Sequence, residues 1–275
     1  MKHTIQSILL TDTVEVALVG CGGNGSLFLS ALVNIDRAMR ELGHPGGLHV
    51  TVFDFDKVSE SNIGRQNFYP SDKGQYKAPV SVSRVNIGFG LNWKAVPEAF
   101  PPAKGYYRPH IIVGCVDTKK SRRAIAKFAS ANNVCYWLDL GNGLSTGQVI
   151  LGEPLSCWES AKKRPMRLPT VTDLFPSILD DSIPEDDSIP TCSLREALEK
   201  QDLFVNRATV TWGSVLLWHL LREGGSDFSG HFINLKSGMV TSLAADPAAW
   251  ARFKPAKPKR VRKKPSVAEA SQEAA

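Results

Sequence analysis

The chain has 275 residues with 43% hydrophobic content, which is ordinary for one large packed domain. No apolar run is long enough to span a bilayer, and residues 1–11 lack the apolar stretch of a signal peptide, so a cytoplasmic protein without membrane contact is expected. The net charge of +6 resides in the C-terminal tail. Residues 251–275 carry eight Lys or Arg and two Glu, which leaves 25 basic and 25 acidic residues from totals of 33 and 27.

Because the body of the chain is neutral, its charge does not support a nucleic-acid-binding fold. The preferred interpretation of the basic tail is a solvated, disordered extension, although such a run attracts phosphate and could contact nucleic acid. The cysteines form no CxxC pair, which indicates reduced thiols and no zinc site. They are Cys21, Cys115, Cys135, Cys157 and Cys192.

In chain order, the first predicted unit is a strand, a glycine-rich loop and a helix. The apolar run 14–19 predicts the strand, residues 20–25 form the loop, and the apolar spacing within 26–42 predicts the helix. A second strand is predicted at 48–53, which completes a right-handed parallel unit.

The alternation of strands and helices continues along the chain. Further helices are predicted at 77–87, 121–132, 194–201 and 205–222, strands at 110–116, 134–140 and 147–152, and a hairpin of 231–235 with 239–243. This order predicts an α/β fold with a doubly wound, Rossmann-like, mostly parallel sheet and a C-terminal antiparallel extension. Residues 1–250 are predicted to form the domain, with a partly mobile crossover loop at 153–191 and the tail at 251–275.

The glycine-rich loop, Gly20-Cys21-Gly22-Gly23-Asn24-Gly25, is the first candidate for binding a ligand. Glycines let backbone N–H groups approach a phosphate closely, and the dipole of the following helix favours negative charge. A tight turn without a ligand is the alternative. The loop predicts nucleotide binding through its four glycines, Gly20, Gly22, Gly23 and Gly25, but does not specify the nucleotide.

Two acidic residues follow the second strand. Asp54 stands at its carboxyl end, where open α/β sheets bind ligands, and is predicted to accept hydrogen bonds from ribose hydroxyls. An NAD enzyme would use an acid in the same place, and a turn cap is the structural alternative. For Asp56, a cap and a binding role both stay open.

Asn62, Arg65 and Gln66 favour a phosphate-cleaving enzyme over a hydride-transfer enzyme. A guanidinium just beyond the ribose acid would stabilise the charge that builds on departing pyrophosphate. Lys77 would add a second positive charge, although a lysine read alone is more often a solvated helix residue. Asp117 follows a strand and is either a hard oxygen ligand suited to Mg²⁺ or a helix cap.

These residues resemble a known family. The stretch Asp54-Phe55-Asp56-Lys57-Val58-Ser59-Glu60-Ser61-Asn62-Ile63-Gly64-Arg65-Gln66 is similar to the DxDxVxxSNxxRQ motif of the ThiF/MoeB/ubiquitin-activating-enzyme superfamily. Lys77, Asp117 and Arg122 follow in the expected order, and Arg122 is equally compatible with a structural role. Thr118 departs from the family pattern, which usually has Asn there. Within the superfamily, the chain most resembles the ThiF-related protein of PRTRC cassettes.

The resemblance implies an ATP-dependent adenylyltransferase. The C-terminal carboxylate of a ubiquitin-like or sulfur-carrier protein would attack the α-phosphate of ATP, and pyrophosphate would leave. The resemblance assigns the ribose to Asp54, the phosphates to Asn62, Arg65 and Lys77, and Mg²⁺ to Asp117. Members of the superfamily are usually dimers, so a homodimer is expected.

Cys192 is the candidate nucleophile for a second step. The stretch Pro190-Thr191-Cys192-Ser193-Leu194 is similar to the segment that carries the catalytic thiol in ubiquitin-activating enzymes, and it ends the crossover loop as the persulfide cysteine of ThiF does. A thiol at a helix N-terminus is more nucleophilic at neutral pH, although the acidic residues upstream oppose that effect. An inert small residue is the alternative.

Two other functions are kept as alternatives. An NAD-dependent oxidoreductase would explain the glycine loop and Asp54, but it gives Asn62, Arg65 and Asp117 no role, and no histidine stands out for proton transfer. A non-catalytic nucleotide-binding scaffold would keep the fold and bind a partner through the crossover loop.

Overall fold

The computed structural model describes residues 2–103, 107–155, 167–180, 182 and 201–253. The strands are β1 (His3–Thr4), β2 (Val14–Val19), β3 (Leu48–Phe53), β4 (Lys94–Val96), β5 (Ile111–Gly114), β6 (Tyr136–Asn142), β7 (Thr146–Gly152), β8 (Gly225–Ser226), β9 (Phe228–Asn234) and β10 (Met239–Ala244). The α-helices are α1 (Ile8–Thr11), α2 (Gly23–Glu41), α3 (Lys77–Phe89), α4 (Lys119–Ala131), α5 (Val171–Leu174), α6 (Val205–Glu223) and α7 (Pro247–Trp250).

Eight strands form one sheet in the order β10-β9-β7-β6-β5-β2-β3-β4. The five from β4 to β6 run parallel, whereas β7, β9 and β10 pair antiparallel. Separately, β1 and β8 form a two-stranded antiparallel sheet. The predicted α/β fold class and its C-terminal antiparallel extension are therefore confirmed.

Strand register determines where the candidate residues meet. Val19 at the end of β2 pairs with Phe53 at the end of β3 and with Gly114 at the end of β5. The glycine loop, Asp54 and the segment after β5 therefore emerge side by side at the carboxyl edge of the sheet, where open α/β sheets bind ligands.

Continuous apolar strands and flanking helices build the core. Because β2, β3 and β5 are buried on both faces, they consist almost entirely of apolar residues. Phe100 contacts both Phe53 on β3 and Phe128 on α4, so α4 covers the face of the sheet that carries Phe53. Helix α2 packs against α3 and α6.

The structure differs from the sequence predictions in several places, which include the short unpredicted elements β1, α1, β8 and α7 and shifts of a few residues at element ends. Helix α2 begins at Gly23 rather than at residue 26, because the end of the glycine loop forms its first turn. The edge strand β4 was not predicted. Part of the predicted crossover loop is packed: α5 lies within it, and Leu168 and Val171 are fully buried.

Several predictions lie outside the described residues. They concern Cys192, the helix at 194–200, most of the tail and the rest of the crossover loop. Among the helices that the structure describes, none is long and apolar enough to cross a membrane.

Candidate active site

A cleft of about 1340 Å³ lies beyond the ends of β3, β5 and β6. Seven residues singled out in the sequence line it: Asp56, Asn62, Arg65, Gln66, Lys77, Asp117 and Arg122. The loop glycines and Asp54 are not among its lining residues. They adjoin it, because the backbone N–H of Asp56 donates a hydrogen bond to Asp54.

Asp54 fastens the glycine loop to the end of β3. Its Oδ2 accepts the Cys21 N–H at 2.5 Å and its Oδ1 accepts the Asp56 N–H at 2.8 Å. Burial raises the pKa of the Asp54 carboxyl, while these N–H donors and the nearby Lys77 act in the opposite direction. The turn-cap interpretation of Asp54 therefore holds, and its ribose-binding role stays a prediction.

Close packing explains three of the four loop glycines. Gly20 has φ +87°, and a Cβ there would lie 2.5 Å from the carbonyl oxygen of Cys115. A Cβ at Gly25 would overlap the carbonyl oxygen of Gly20, and one at Gly23 would lie 2.7 Å from Asn206 Oδ1. Around Gly22, by contrast, the described residues beyond its immediate chain neighbours leave open space within 4 Å of an added Cβ.

Lys77 is the first residue of α3 and points inward. Its side chain is only 9% exposed, and Nζ contacts Asp56 Oδ2 at 2.9 Å. The interpretation of Lys77 as a solvated helix residue is therefore wrong. The partner carboxylate of Asp56 is about half exposed, so Lys77 lies at the wall of the cleft as the buried member of an ion pair.

Asn62 shapes the loop that carries Arg65 and Gln66. It ends a 3₁₀ turn, where its Oδ1 accepts the Ser59 N–H at 3.0 Å and its carbonyl oxygen accepts the Gln66 N–H at 2.9 Å. Asn62 is thus part of the scaffold of the loop as well as a lining residue. Its contact with phosphate stays a prediction.

Arg65 and Asp117 face one another in the cleft. Arg65 Nη1 donates to Gln201 Oε1 at 2.5 Å, and its buried Nε has no hydrogen-bond partner among the described residues. Burial lowers the pKa of Arg65, and the charge of Asp117 opposes that shift. The residue that caps α4 is Thr118, whose Oγ1 accepts the Ser121 N–H at 3.1 Å, so the cap interpretation of Asp117 is wrong.

Arg122 has a structural role next to this pair. Its Nε donates to both carboxylate oxygens of buried Asp139, at 3.0 and 3.2 Å. Its Nη1 donates to the Asp117 carbonyl at 3.3 Å and its Nη2 to the Leu140 carbonyl at 3.5 Å. Arg122 therefore holds the backbone of Asp117 against β6.

Sequence reasoning missed a cluster of amides beside the glycine loop. Asn142 Nδ2 donates to Asn24 Oδ1 at 2.9 Å and to Asn206 Oδ1 at 2.6 Å. Asn24 belongs to the glycine motif, but its partners lie far away in the chain. Asn142 ends β6, so the strand-end criterion that selected Asp54 and Asp117 would have found it.

The cleft suits a ligand that has both anionic oxygens and hydrogen-bond donors. Three buried atoms of its lining side chains lack partners among the described residues: one donor, Arg65 Nε, and two acceptors, Gln66 Oε1 and Asn142 Oδ1. Within the same residues, no three His, Cys, Asp or Glu side chains lie close enough to hold a metal ion together. A Mg²⁺ bound through Asp117 would take its other ligands from phosphate and water, as Mg²⁺ commonly does.

Comparison with solved structures gives distant matches to enzymes of similar fold. E. coli MccB matches with a TM-score of 0.57 and 13% identity over 87% of this chain and 64% of the MccB chain. MccB solved with ATP matches with a TM-score of 0.56 and 14% identity over 87% of this chain and 65% of the MccB chain. PaaA matches with a TM-score of 0.53 and 12% identity over 84% of this chain and 64% of the PaaA chain. These identities show the fold alone, and the chain spans just under two thirds of each of these proteins.

Comparison with curated protein sequences found no match. A protein-family model, in contrast, matches residues 9–249 of this chain. That range includes the glycine loop, the stretch from Asp54 to Gln66 and all the elements that carry the cleft. The model is that of the ThiF family, and because it covers most of the chain, the protein belongs to the ThiF family.

Proposed function

We propose that this protein uses ATP to adenylate the carboxyl-terminal carboxylate of a peptide or carrier protein. The observation that carries the proposal is the Arg65 guanidinium, which lines a cleft that also contains Lys77 and Asp117 and whose buried Nε has no partner among the described residues. Membership of the ThiF family supports it. MccB has been solved with ATP and with MccA, which supports a nucleotide and a peptide as ligands of this fold.

The proposed reaction transfers AMP to the acceptor. A carboxylate oxygen forms a bond to the α-phosphorus, the bond from that phosphorus to the bridging oxygen breaks, and its electron pair leaves with pyrophosphate. Arg65 and Lys77 stabilise the charge that grows on the departing oxygens. Mg²⁺, held by Asp117, would neutralise phosphate charge.

The remaining residues bind and orient ATP in this proposal. Asp54 accepts hydrogen bonds from the ribose, and the open space beside Gly22 admits a phosphate to the backbone of the loop. Asn62 and Gln66 hold the loop of Arg65 in place, and Gln66 Oε1, which has no partner within the described part of the chain, accepts a hydrogen bond from the ligand.

The finer proposal is that the acceptor is a ubiquitin-like or sulfur-carrier protein and that the enzyme is a homodimer. In a second step, the Cys192 thiolate attacks the acyl carbon of the adenylate, a thioester forms and AMP leaves. This step follows from the sequence motif, since Cys192 lies outside the described residues.

The test is ATP–pyrophosphate exchange with a candidate acceptor, such as a small ubiquitin-like protein ending in Gly from an adjacent open reading frame. Arg65→Ala and Asp117→Ala should each lower the exchange rate about 100-fold, the typical effect of removing one preorganised charged group. Lys73→Met, which changes an exposed ion pair with Glu60, is the matched control. No exchange with the wild type, or undiminished exchange in Arg65→Ala, contradicts the proposal.

Further outcomes separate the alternatives. Binding of NADH but not of ATP would favour an oxidoreductase. Binding of ATP without turnover would favour a non-catalytic scaffold. A covalent thioester adduct that excess thiol cleaves by exchange should disappear in Cys192→Ala while ATP–pyrophosphate exchange persists. An adduct that remains in that variant would place the reactive thiol elsewhere.

A further inference from the structure

A line of hydrogen bonds connects the first turn of α2 to Arg65. From Asn24 it passes through Asn142 to Asn206, with the two bonds from Asn142 Nδ2 described above. Asn206 Nδ2 then donates to Gln201 Oε1 at 3.4 Å, and Arg65 Nη1 donates to the same oxygen at 2.5 Å. The line therefore joins α2, β6, the start of α6 and the loop of Arg65.

The guanidinium fixes the orientation of every amide in the line. A guanidinium only donates hydrogen bonds, so Gln201 must present its oxygen to Arg65. That oxygen can also accept from Asn206 Nδ2, which turns Asn206 Oδ1 towards Asn142. Asn142 must then donate through Nδ2, so the line has a single consistent set of donors and acceptors.

This arrangement divides the guanidinium of Arg65 into two edges. Gln201 Oε1 accepts a hydrogen bond from Nη1, while the Nε–H has no partner among the described residues. Because Nε is buried, Nη2 is the guanidinium nitrogen left to donate to an oxygen of a phosphate or carboxylate. The anchored Nη1 therefore directs Nη2.

We propose that Gln201 is a positioning residue for Arg65, which holds the guanidinium ready to receive the β- and γ-phosphates of ATP. The inference rests on the proposed function, because that function supplies the phosphates. An arginine that is already ordered loses less side-chain entropy when it binds its ligand. Loss of the anchor should therefore weaken ATP binding roughly three- to tenfold.

The experiment is a double-mutant cycle on nucleotide binding, measured by calorimetry with ATP and with AMP in the presence of Mg²⁺. The proteins are the wild type, Gln201→Met, Arg65→Ala and the double variant. Gln201→Met should weaken ATP binding roughly three- to tenfold and leave AMP binding unchanged. In the Arg65→Ala background, the same substitution should have no further effect, because the group that it positions is gone.

The control is Gln75→Met, which replaces an exposed glutamine whose side chain donates a hydrogen bond to the Ser71 carbonyl. It should leave the binding of both nucleotides unchanged. If Gln201→Met fails to fold, Gln201→Glu serves in the same cycle. It keeps an oxygen for Arg65 but adds a charge that competes with phosphate, so it should weaken ATP binding more than AMP binding.

The inference would be overturned if Gln201→Met weakened the binding of ATP and of AMP equally, or if it weakened ATP binding as much in the Arg65→Ala background as in the wild type. Either result would show that Gln201 acts on the fold. Nucleotide binding requires no acceptor protein, so the double-mutant cycle can give the expected result even where no adenylate forms. The proposal for Gln201 and the proposed adenylation can therefore fail separately. A wild type that binds no ATP overturns both.

Discussion

Replacing Arg122 by Met should destabilise the protein strongly, although Arg122 is not needed to bind nucleotide in the proposed mechanism. The Asp139 side chain is 1% exposed, and Arg122 donates to both of its oxygens. Breaking such a buried pair by removing one partner costs about 3–5 kcal/mol, because the remaining charge is left without compensation. For a domain of this size the expected decrease in Tm is about 6–20 °C.

The loss should depend on pH. Burial raises the pKa of the Asp139 carboxyl, and Arg122 opposes this effect, so the pKa rises further in the variant. Between the pKa of the unfolded chain and the higher pKa of the folded state, the folded protein keeps a proton on this carboxyl that the unfolded chain has released. The free energy of unfolding therefore falls as the pH rises through this range. The difference between wild type and Arg122→Met should therefore be smaller at pH 5 than at pH 8.

Urea unfolding at both pH values measures the effect. Arg122→Met/Asp139→Asn should recover most of the stability, because the neutral amide removes the buried charge and still accepts a hydrogen bond from Gln148. The control, Lys73→Met, breaks a pair in which both side chains are more than 60% exposed, and it should cost less than about 1 kcal/mol. A loss below about 1 kcal/mol in Arg122→Met, or no recovery in the double variant, would refute the reasoning.

Three further predictions concern the glycine loop, Asp117 and the thiols. Gly25→Ala should destabilise the protein by about 2 kcal/mol in urea unfolding, because the added Cβ would overlap the Gly20 carbonyl. Gly22→Ala should keep wild-type stability yet weaken ATP binding. Equal stabilities of the Gly25→Ala and Gly22→Ala variants would contradict this. Asp117→Asn should change stability by no more than about 0.5 kcal/mol but remove the effect of Mg²⁺ on ATP binding in calorimetry, so an unchanged Mg²⁺ effect argues against Asp117 as the ligand. Iodoacetamide at pH 8 should modify Cys21, Cys115 and Cys135 only after unfolding, because all three are buried and burial raises the pKa of Cys21 to about 12. Peptide mass mapping measures this, and rapid native labelling of Cys21 would count against it.

The central strands were predictable because each is a continuous apolar run with a clear end. Strands β2 and β3 begin and end at the predicted residues, bounded by the glycine loop and by Asp54. Edge strand β4 has three residues that begin with an exposed lysine, so hydrophobicity gives no signal there. The start of α2 was misplaced because helix propensity argues against a glycine in a first turn, whereas packing of the loop overrides it.

The candidate site was predictable where residues are local in sequence. The stretch from Asp54 to Gln66 forms one loop, and Lys77 returns to pair with Asp56. The contact of Gln201 with Arg65 spans 136 positions, and neither residue type indicates the other as its partner. Such a contact depends on how α6 is placed against the sheet, which a single sequence does not reveal.

The tight approach of Gly23 to Asn206 has a consequence for the evolution of the family. A methyl group at position 23 would lie 2.7–2.8 Å from the amide atoms of Asn206, so a side chain at position 23 requires a smaller residue at position 206. Relatives with alanine at the position of Gly23 should therefore carry serine or glycine at that of Asn206. An alignment of homologues should show the two positions varying together across a separation of more than 180 residues.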